Sequence, residues 1–268
     1  MNFRNFIAAA FCGLAVAAFA APTASSAQSD NSIDNIKARG KLLAGVKFDT
    51  PPFGFLGDNN KPEGFDLDLL SKVADKIGVP VEFVSVTSPT RIPMLVSGNV
   101  DVVAASMTHT VERDRTIDFS ITYYTGGQAL IVKSGSDIAG VDGLAGKQVA
   151  VQQGTTLEKN IAAAAPDAKL VGFKDYNSAW LALLQGRVDA LTGSLNILQG
   201  FARENKDYEI VGDMFSTEPF GVGVRQGDSG MRDLVNETLQ ELWKSGEYRE
   251  LYVKWFGEEP RYPIEIWP

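Results

Sequence analysis

Apolar and polar positions follow one another in short blocks that read as strands and helices in alternation. Lys41-Leu-Leu-Ala-Gly-Val46 is a brief apolar run, as a buried strand reads, and Ile33 to Arg39 ahead of it reads as a short helix closed by Gly40. In Lys47-Phe-Asp-Thr-Pro-Pro-Phe-Gly-Phe55 the paired prolines exclude helix and central strand, so Lys47 falls at the C-terminal end of the first strand. Leu67, Leu70, Val73, Ala74 and Ile77 then repeat at helical spacing before Gly78. Asp66 and Asp68 sit in that helix's first turn, where acids suit the macrodipole. Val79 to Val86 alternates as a strand does, and a loop through Arg91 leads into a helix that stops at Gly98.

The stretch Val103 to Tyr124 organises the rest. Val100, Val102, Val103, Ala104 and Ala105 form a buried apolar run that turns polar at Ser106 and Thr108 and reaches Glu112 and Arg113. Such a strand delivers hydroxyls and a guanidinium to one end of a sheet, where small ligands sit in open α/β folds. Arginine is the side chain best shaped to hold a carboxylate with two parallel hydrogen bonds. On spacing alone, Arg113 beside Glu112 and Asp114 reads equally well as a solvated surface pair worth about 0 to 1 kcal/mol.

The second half replays the first. Leu95-Val-Ser-Gly-Asn-Val-Asp-Val-Val-Ala-Ala-Ser106 aligns without a gap to Leu183-Leu-Gln-Gly-Arg-Val-Asp-Ala-Leu-Thr-Gly-Ser194. Two lobes of like construction follow, each with a helix, a glycine stop and a buried strand ending in a serine. Two such ends facing each other make a cleft. Lys147 to Gln152 reads as another strand, and Gly154-Thr-Thr156 as a turn into a helix, whose first N–H groups either receive an anion or are capped by the hydroxyls. Strands at Val171 to Phe173, Glu209 to Val211 and Gly221 to Arg225 follow, with helices at Ala179 to Gln185, Met231 to Ser245 and around Tyr248 to Trp255.

Composition narrows the function classes. The 268 residues suffice for two modest domains, and 44% hydrophobic with 22% charged residues is ordinary for a soluble globular chain. Residues 1–27 stand apart as a secretory signal peptide: Arg4 is the only charge, Phe6 to Ala20 is apolar, and Ser25-Ser-Ala27 offers a cleavage site. Cleavage is expected after Ala27. Cys12, the only cysteine, lies inside this leader, behind Phe11 rather than the small residues of a lipid-attachment site. The mature chain then has no disulfide or thiolate site, and with His109 as its single histidine, zinc is excluded. Loss of Arg4 takes the net charge from −8 to −9, a poor balance for nucleic-acid binding. No second apolar stretch approaches the roughly 18 to 20 residues of a membrane-spanning helix.

Ser106-Met-Thr108 through Val111-Glu-Arg113, with Asp118-Phe-Ser and Tyr123-Tyr124, resembles the signature of the periplasmic amino-acid-binding proteins that feed ABC importers, solute-binding protein family 3. The resemblance covers nearly all of the chain after the leader. It implies an α/β, two-lobed periplasmic-binding-protein fold of type II, each lobe a mixed sheet flanked by helices, with the ligand in the interlobe cleft. The first lobe is expected over 28–130, the second over 131–222, and a return to the first over 223–268. A periplasmic monomer follows, with a small-molecule carboxylate ligand and a membrane permease as partners, and without cofactor, metal or nucleic acid.

The resemblance also assigns residues. It implies that Arg113 clamps the ligand's α-carboxylate, assisted by Thr108 and the Thr156 backbone N–H. Ser106 lies beside the α-ammonium, and Phe65 packs on the ligand. The aspartate- and glutamate-binding members resemble this chain at Gly45-Val-Lys47, Thr90-Arg-Ile-Pro and Asp175-Tyr176, which assigns Lys47 and Arg91 to a side-chain carboxylate and brings in Tyr176. Ser194 stands where the family usually has the aspartate that pairs the ammonium; Asp49 and Glu218 are the acids open to compensate. The expected ligand is an acidic amino acid, and the alternative an organic acid without the amine. An enzyme resembling cyclohexadienyl dehydratases would need a general acid in the second lobe's loop, and Val188 to Arg203 offers only Asp189. No catalysis is expected.

Overall fold

A computed structural model describes residues 32–264, so the signal peptide expected over 1–27, with Cys12, lies outside the described residues. The chain opens with α1 (Ser32–Arg39), β1 (Leu42–Val46) and three short strands, β2 (Asp49–Thr50), β3 (Gly54–Leu56) and β4 (Pro62–Glu63), that pair around the double proline. Then come α2 (Phe65–Ile77), β5 (Val81–Ser85), α3 (Arg91–Val96), β6 (Val102–Val103) and the long β7 (Ile117–Gly126). A second group follows: β8 (Gln128–Lys133), β9 (Gln148–Gln152), α4 (Leu157–Ala164), β10 (Lys169–Phe173), α5 (Tyr176–Leu184), β11 (Ala190–Ser194), α6 (Leu195–Glu204) and β12 (Tyr208–Val211). The chain ends with β13 (Glu218–Arg225), α7 (Ser229–Ser245) and α8 (Glu247–Phe256).

These strands build two five-stranded sheets on one plan. The first runs β5-β1-β6-β13-β7 and the second β10-β9-β11-β8-β12. In each, the first three strands are parallel and the last two pairings antiparallel. The internal repeat maps onto this plan, since α3 with β6 and α5 with β11 supply the middle strand of each sheet. The chain crosses between sheets at Gly127 and again between Val211 and Glu218, a few residues ahead of the boundaries expected at 130 and 222. At the first crossing β7 and β8 are joined by Gly127 alone, so the chain passes directly from one sheet into the other.

The first lobe's core is aromatic. Phe65 is fully buried, with its ring edge-on to Tyr248, Tyr252 and Phe256 at centroid separations of 5.8, 5.9 and 5.1 Å. Phe53, Tyr124 and Phe220 extend the cluster. Offset and edge-to-face aromatic pairs of this kind add about 0.5 to 1.5 kcal/mol each beyond the area they bury. This corrects the ligand-packing role expected of Phe65: helix α8 covers that ring, and the periodicity of α2 gave no sign of how close it comes. Asn236 on α7 accepts a hydrogen bond from the Ile121 N–H at 2.8 Å, tying the helix to β7.

Candidate functional site

The C-terminal ends of the parallel strands in both sheets face one cavity between the lobes. The first lobe lines it with Lys47, Arg91, Ser106 and Thr108, and the second with Thr156, Tyr176 and Ser194. Seven of the nine residues singled out from the sequence therefore meet here. Phe65 does not, and Arg113 stands at an adjoining outer opening.

Lys47 follows β1, and its side chain is 2% exposed. Nζ donates to Gln152 Oε1 of the second lobe at 2.9 Å and lies 3.6 Å from Asp49 Oδ1. Burial lowers its pKa from 10.5 to about 8, against an upward pull from Asp49. Asp49 is itself shared, because its Oδ2 accepts from the Tyr176 N–H at 2.7 Å and from Gln152 Nε2 at 3.5 Å. The Asp175 side chain accepts from the Ser178 N–H and so fixes the start of α5, setting Tyr176 in the first turn against the cleft.

Arg91 opens α3 and is equally buried. Its Nη1 donates to the Ala105 carbonyl at 2.7 Å and to the Ser106 carbonyl at 3.5 Å, while Nε has no partner among the described residues. Burial first, and then the charge of Arg113, push its pKa down. Ser106 itself has a positive φ of 48°, unusual for a serine. Its N–H donates to Asp66 Oδ2 at 2.9 Å, and Asp66 Oδ1 accepts from the Tyr123 hydroxyl at 2.8 Å. Asp66, legible in the sequence only as a helix-start acid, thus supports the strand end from below, and burial raises its pKa to about 7. The Oγ atoms of Ser106 and Ser194 are buried without hydrogen-bond partners among the described residues.

Arg113 bridges the lobes at the rim. Nη1 donates to the Thr108 carbonyl at 2.6 Å and Nη2 to the Gly154 carbonyl at 3.3 Å. Gly154 has a φ of +71°, and a Cβ there would come within 3.0 Å of the Pro89 backbone, so the two lobes approach at a point only glycine tolerates. Beside it Glu112 pairs with Lys159 of α4 on the surface. His109 turns away, stacked on Phe119 and bonded to Asp114 at 2.8 Å.

Two cavity residues carry more than their sequence context suggested. Gln152 receives Lys47 and also the Ser88 hydroxyl, at 3.2 Å. Glu218 accepts from Thr108 at 2.6 Å and Thr156 at 2.8 Å, so an acid at the start of β13 joins both lobes. The position of Gln152 at a strand's C-terminal end, matching Lys47 in the other lobe, was the signal available for the first. Glu218 was open, with Asp49, as an acid to compensate for Ser194, but nothing in the sequence showed that it joins both lobes. Among the described residues no group of three or more His, Cys, Asp or Glu is placed to hold a metal ion.

Residues 42–258 match the model of the bacterial extracellular solute-binding proteins, family 3. The chain is 40% identical over 242 residues to the ABC transporter glutamine-binding protein GlnH of Bacillus subtilis, covering 88% of this chain and 89% of that one. It is 31% identical over 242 residues to the L-glutamate/L-aspartate-binding protein of Pseudomonas aeruginosa, covering 85% and 80%. Among solved structures it resembles the P235GK mutant of ArgBP from T. maritima, with a TM-score of 0.81 and 38% identity over 85% of this chain and 100% of that one. The two-lobed fold of type II expected from the sequence is the fold found. The resemblance to acidic-amino-acid binders is weaker than that to the glutamine binder, so specificity has to be argued from the cavity.

Proposed function

We propose a ligand for this chain, which belongs to the bacterial extracellular solute-binding proteins, family 3: an acidic amino acid, glutamate or aspartate, captured between the lobes in the periplasm for delivery to the permease of an ABC importer. The observation that carries this reading is the pair Lys47 and Arg91. Both are buried cations lining one cavity, and their nearest partners are a carboxamide, two backbone carbonyls and a carboxylate already shared with a backbone N–H. A buried charge short of a counter-charge is costly. A ligand carboxylate relieves both cations at once through charge-assisted hydrogen bonds of about 1.5 to 3 kcal/mol each, whereas a carboxamide brings no charge. The α-carboxylate falls to the rim, where Arg113, Thr108 and the first N–H groups of α4 converge.

A second reading, an organic acid without the amine, is favoured by Ser194, whose hydroxyl supplies no charge for an ammonium. Capture without reaction fits the cavity better than the dehydratase alternative. Asp189 is exposed and spends its Oδ2 on the Gln148 N–H at 2.7 Å, at the far end of β11.

Thermal unfolding of refolded protein stripped of ligand tests the reading, against L-glutamate, L-aspartate, L-glutamine, glutarate and 2-oxoglutarate. A ligand at 100 times its Kd stabilises by about 2.7 kcal/mol, which raises the midpoint by roughly 5 to 10 °C in a chain of this size. L-glutamate or L-aspartate is expected to give the largest shift. A larger one with L-glutamine, or with an amine-free acid, contradicts the proposal.

A further inference from the structure

Glu218 is the only carboxyl among the described residues that line the cavity, and it is 3% exposed. Its Oε2 accepts from the Thr108 and Thr156 hydroxyls at 2.6 and 2.8 Å, and its Oε1 from Asn160 Nδ2 at 2.6 Å and the Ser216 hydroxyl at 3.0 Å. All four donors are neutral. Among the described residues Glu218 makes no direct ion pair; hydrogen bonding offsets its desolvation, and the Arg113 cation interacts with it only through space.

The strand register fixes where this charge lies. Glu218 opens β13 opposite Gly126, the last residue of β7. Ser194 closes β11 opposite Gln128, two residues further along the same crossing. A Cβ built on Gly126 would stand 3.4 Å from Ser194 Oγ. Glu218 and Ser194 therefore approach one glycine, the first from the first lobe's sheet and the second from the second lobe's. Lys47 and Arg91 make their bonds to other groups, Gln152 and the Ala105 carbonyl, and Arg113 is the cation that interacts with Glu218.

We propose that Glu218 holds the ligand's α-ammonium and so sets a preference for amino acids over amine-free acids of the same length. The inference rests on the amino-acid reading given above and adds the residue that supplies the charge Ser194 lacks. An ammonium brings three donors and the cation that the four neutral partners of Glu218 do not supply. The hydroxyls of Thr108 and Thr156 both donate and accept, so either can turn from Glu218 towards the ligand without leaving a group unpaired. With the ammonium there, Arg91 and Lys47 are left to the side chain and Arg113 to the α-carboxylate.

Titration calorimetry of wild type and Glu218→Gln tests this with three pairs: L-glutamate and glutarate, L-glutamine and glutaramate, L-arginine and 5-guanidinopentanoate. Wild type is expected to favour the amino member of the pair it binds best, and Glu218→Gln to shrink that preference by about 10- to 100-fold while leaving the amine-free member within a few-fold. Glu218→Asp keeps the charge and should keep more of the preference; it also serves as the charged control if the Gln variant does not fold. Adding Ser194→Asp to Glu218→Gln should restore the preference. An unchanged preference in Glu218→Gln, or equal wild-type affinity for both members of the pair bound best, overturns the proposal. Wild-type preference for L-glutamine or L-arginine over L-glutamate contradicts the acidic reading alone, and Glu218 is then judged on that pair.

Discussion

Lys47 Nζ donates to Gln152 Oε1 across the cleft at 2.9 Å, so a buried cation of the first lobe meets a neutral carboxamide of the second. A carboxylate placed beside that nitrogen trades a neutral acceptor for a charged one. Lys47→Met, which keeps much of the side chain's volume, is expected to weaken L-glutamate binding by about 10- to 100-fold, equivalent to about 1.5 to 3 kcal/mol. Calorimetry should show a much smaller loss for neutral L-amino acids. Equal losses for both would remove Lys47 from the side-chain subsite.

The same lysine makes binding pH-dependent. Its pKa is lowered to about 8 by burial, and a bound carboxylate raises it. Complex formation therefore takes up a proton above pH about 8, and affinity for an acidic ligand should fall as pH rises through that value, by at most tenfold per pH unit. Lys47→Met should remove the fall centred near pH 8, as titrations between pH 7 and about 8.5 would reveal, below the range where Arg91, lowered to about 9, titrates. An affinity flat over that range in wild type would contradict a carboxylate at Lys47.

Arg113 has a separate duty at the rim. Its two bonds to the Thr108 and Gly154 carbonyls leave the guanidinium poised over the cavity mouth, and it lies outside both hydrophobic cores. Arg113→Ala should shift the unfolding midpoint of the ligand-free protein by only a few degrees and eliminate the ligand-induced shift for every carboxylate ligand. A persistent shift with L-glutamate would assign the α-carboxylate to other donors.

Asp66 should govern part of the protein's acid profile. Its pKa rises from 3.8 to about 7, chiefly by burial, so between those values the folded state binds the proton more strongly than the unfolded state. Stability contributed by the protonated form is then present below about pH 4 and is lost as pH rises towards 7. Urea unfolding across that range should show a difference between wild type and Asp66→Asn that changes steadily with pH in favour of the variant. A constant difference would mean that Asp66 does not titrate there.

Much of this architecture was legible because strands and helices announce themselves by period, and because the Leu95–Ser106 and Leu183–Ser194 segments repeat the same helix, glycine stop and buried strand. That repeat became the middle strand of each sheet, bringing Ser106 and Ser194 to the cavity. The expectations that failed depended on long-range packing. Phe65 carries the right motif, but α8, far along the chain, closes over its ring. Asp66 looked like a helix-start acid because its partners, Ser106 and Tyr123, lie 40 and 57 residues away. Glu218 could be named only as one of two acids open to compensate for Ser194, since its four donors come from three separate segments that only the two lobe crossings bring together.

The most direct measurement is a crystal structure of the protein with L-glutamate. The account predicts the γ-carboxylate within hydrogen-bond distance of Lys47 Nζ and the Arg91 guanidinium, with the α-carboxylate at Arg113. A γ-carboxylate directed away from both Lys47 and Arg91 would contradict it.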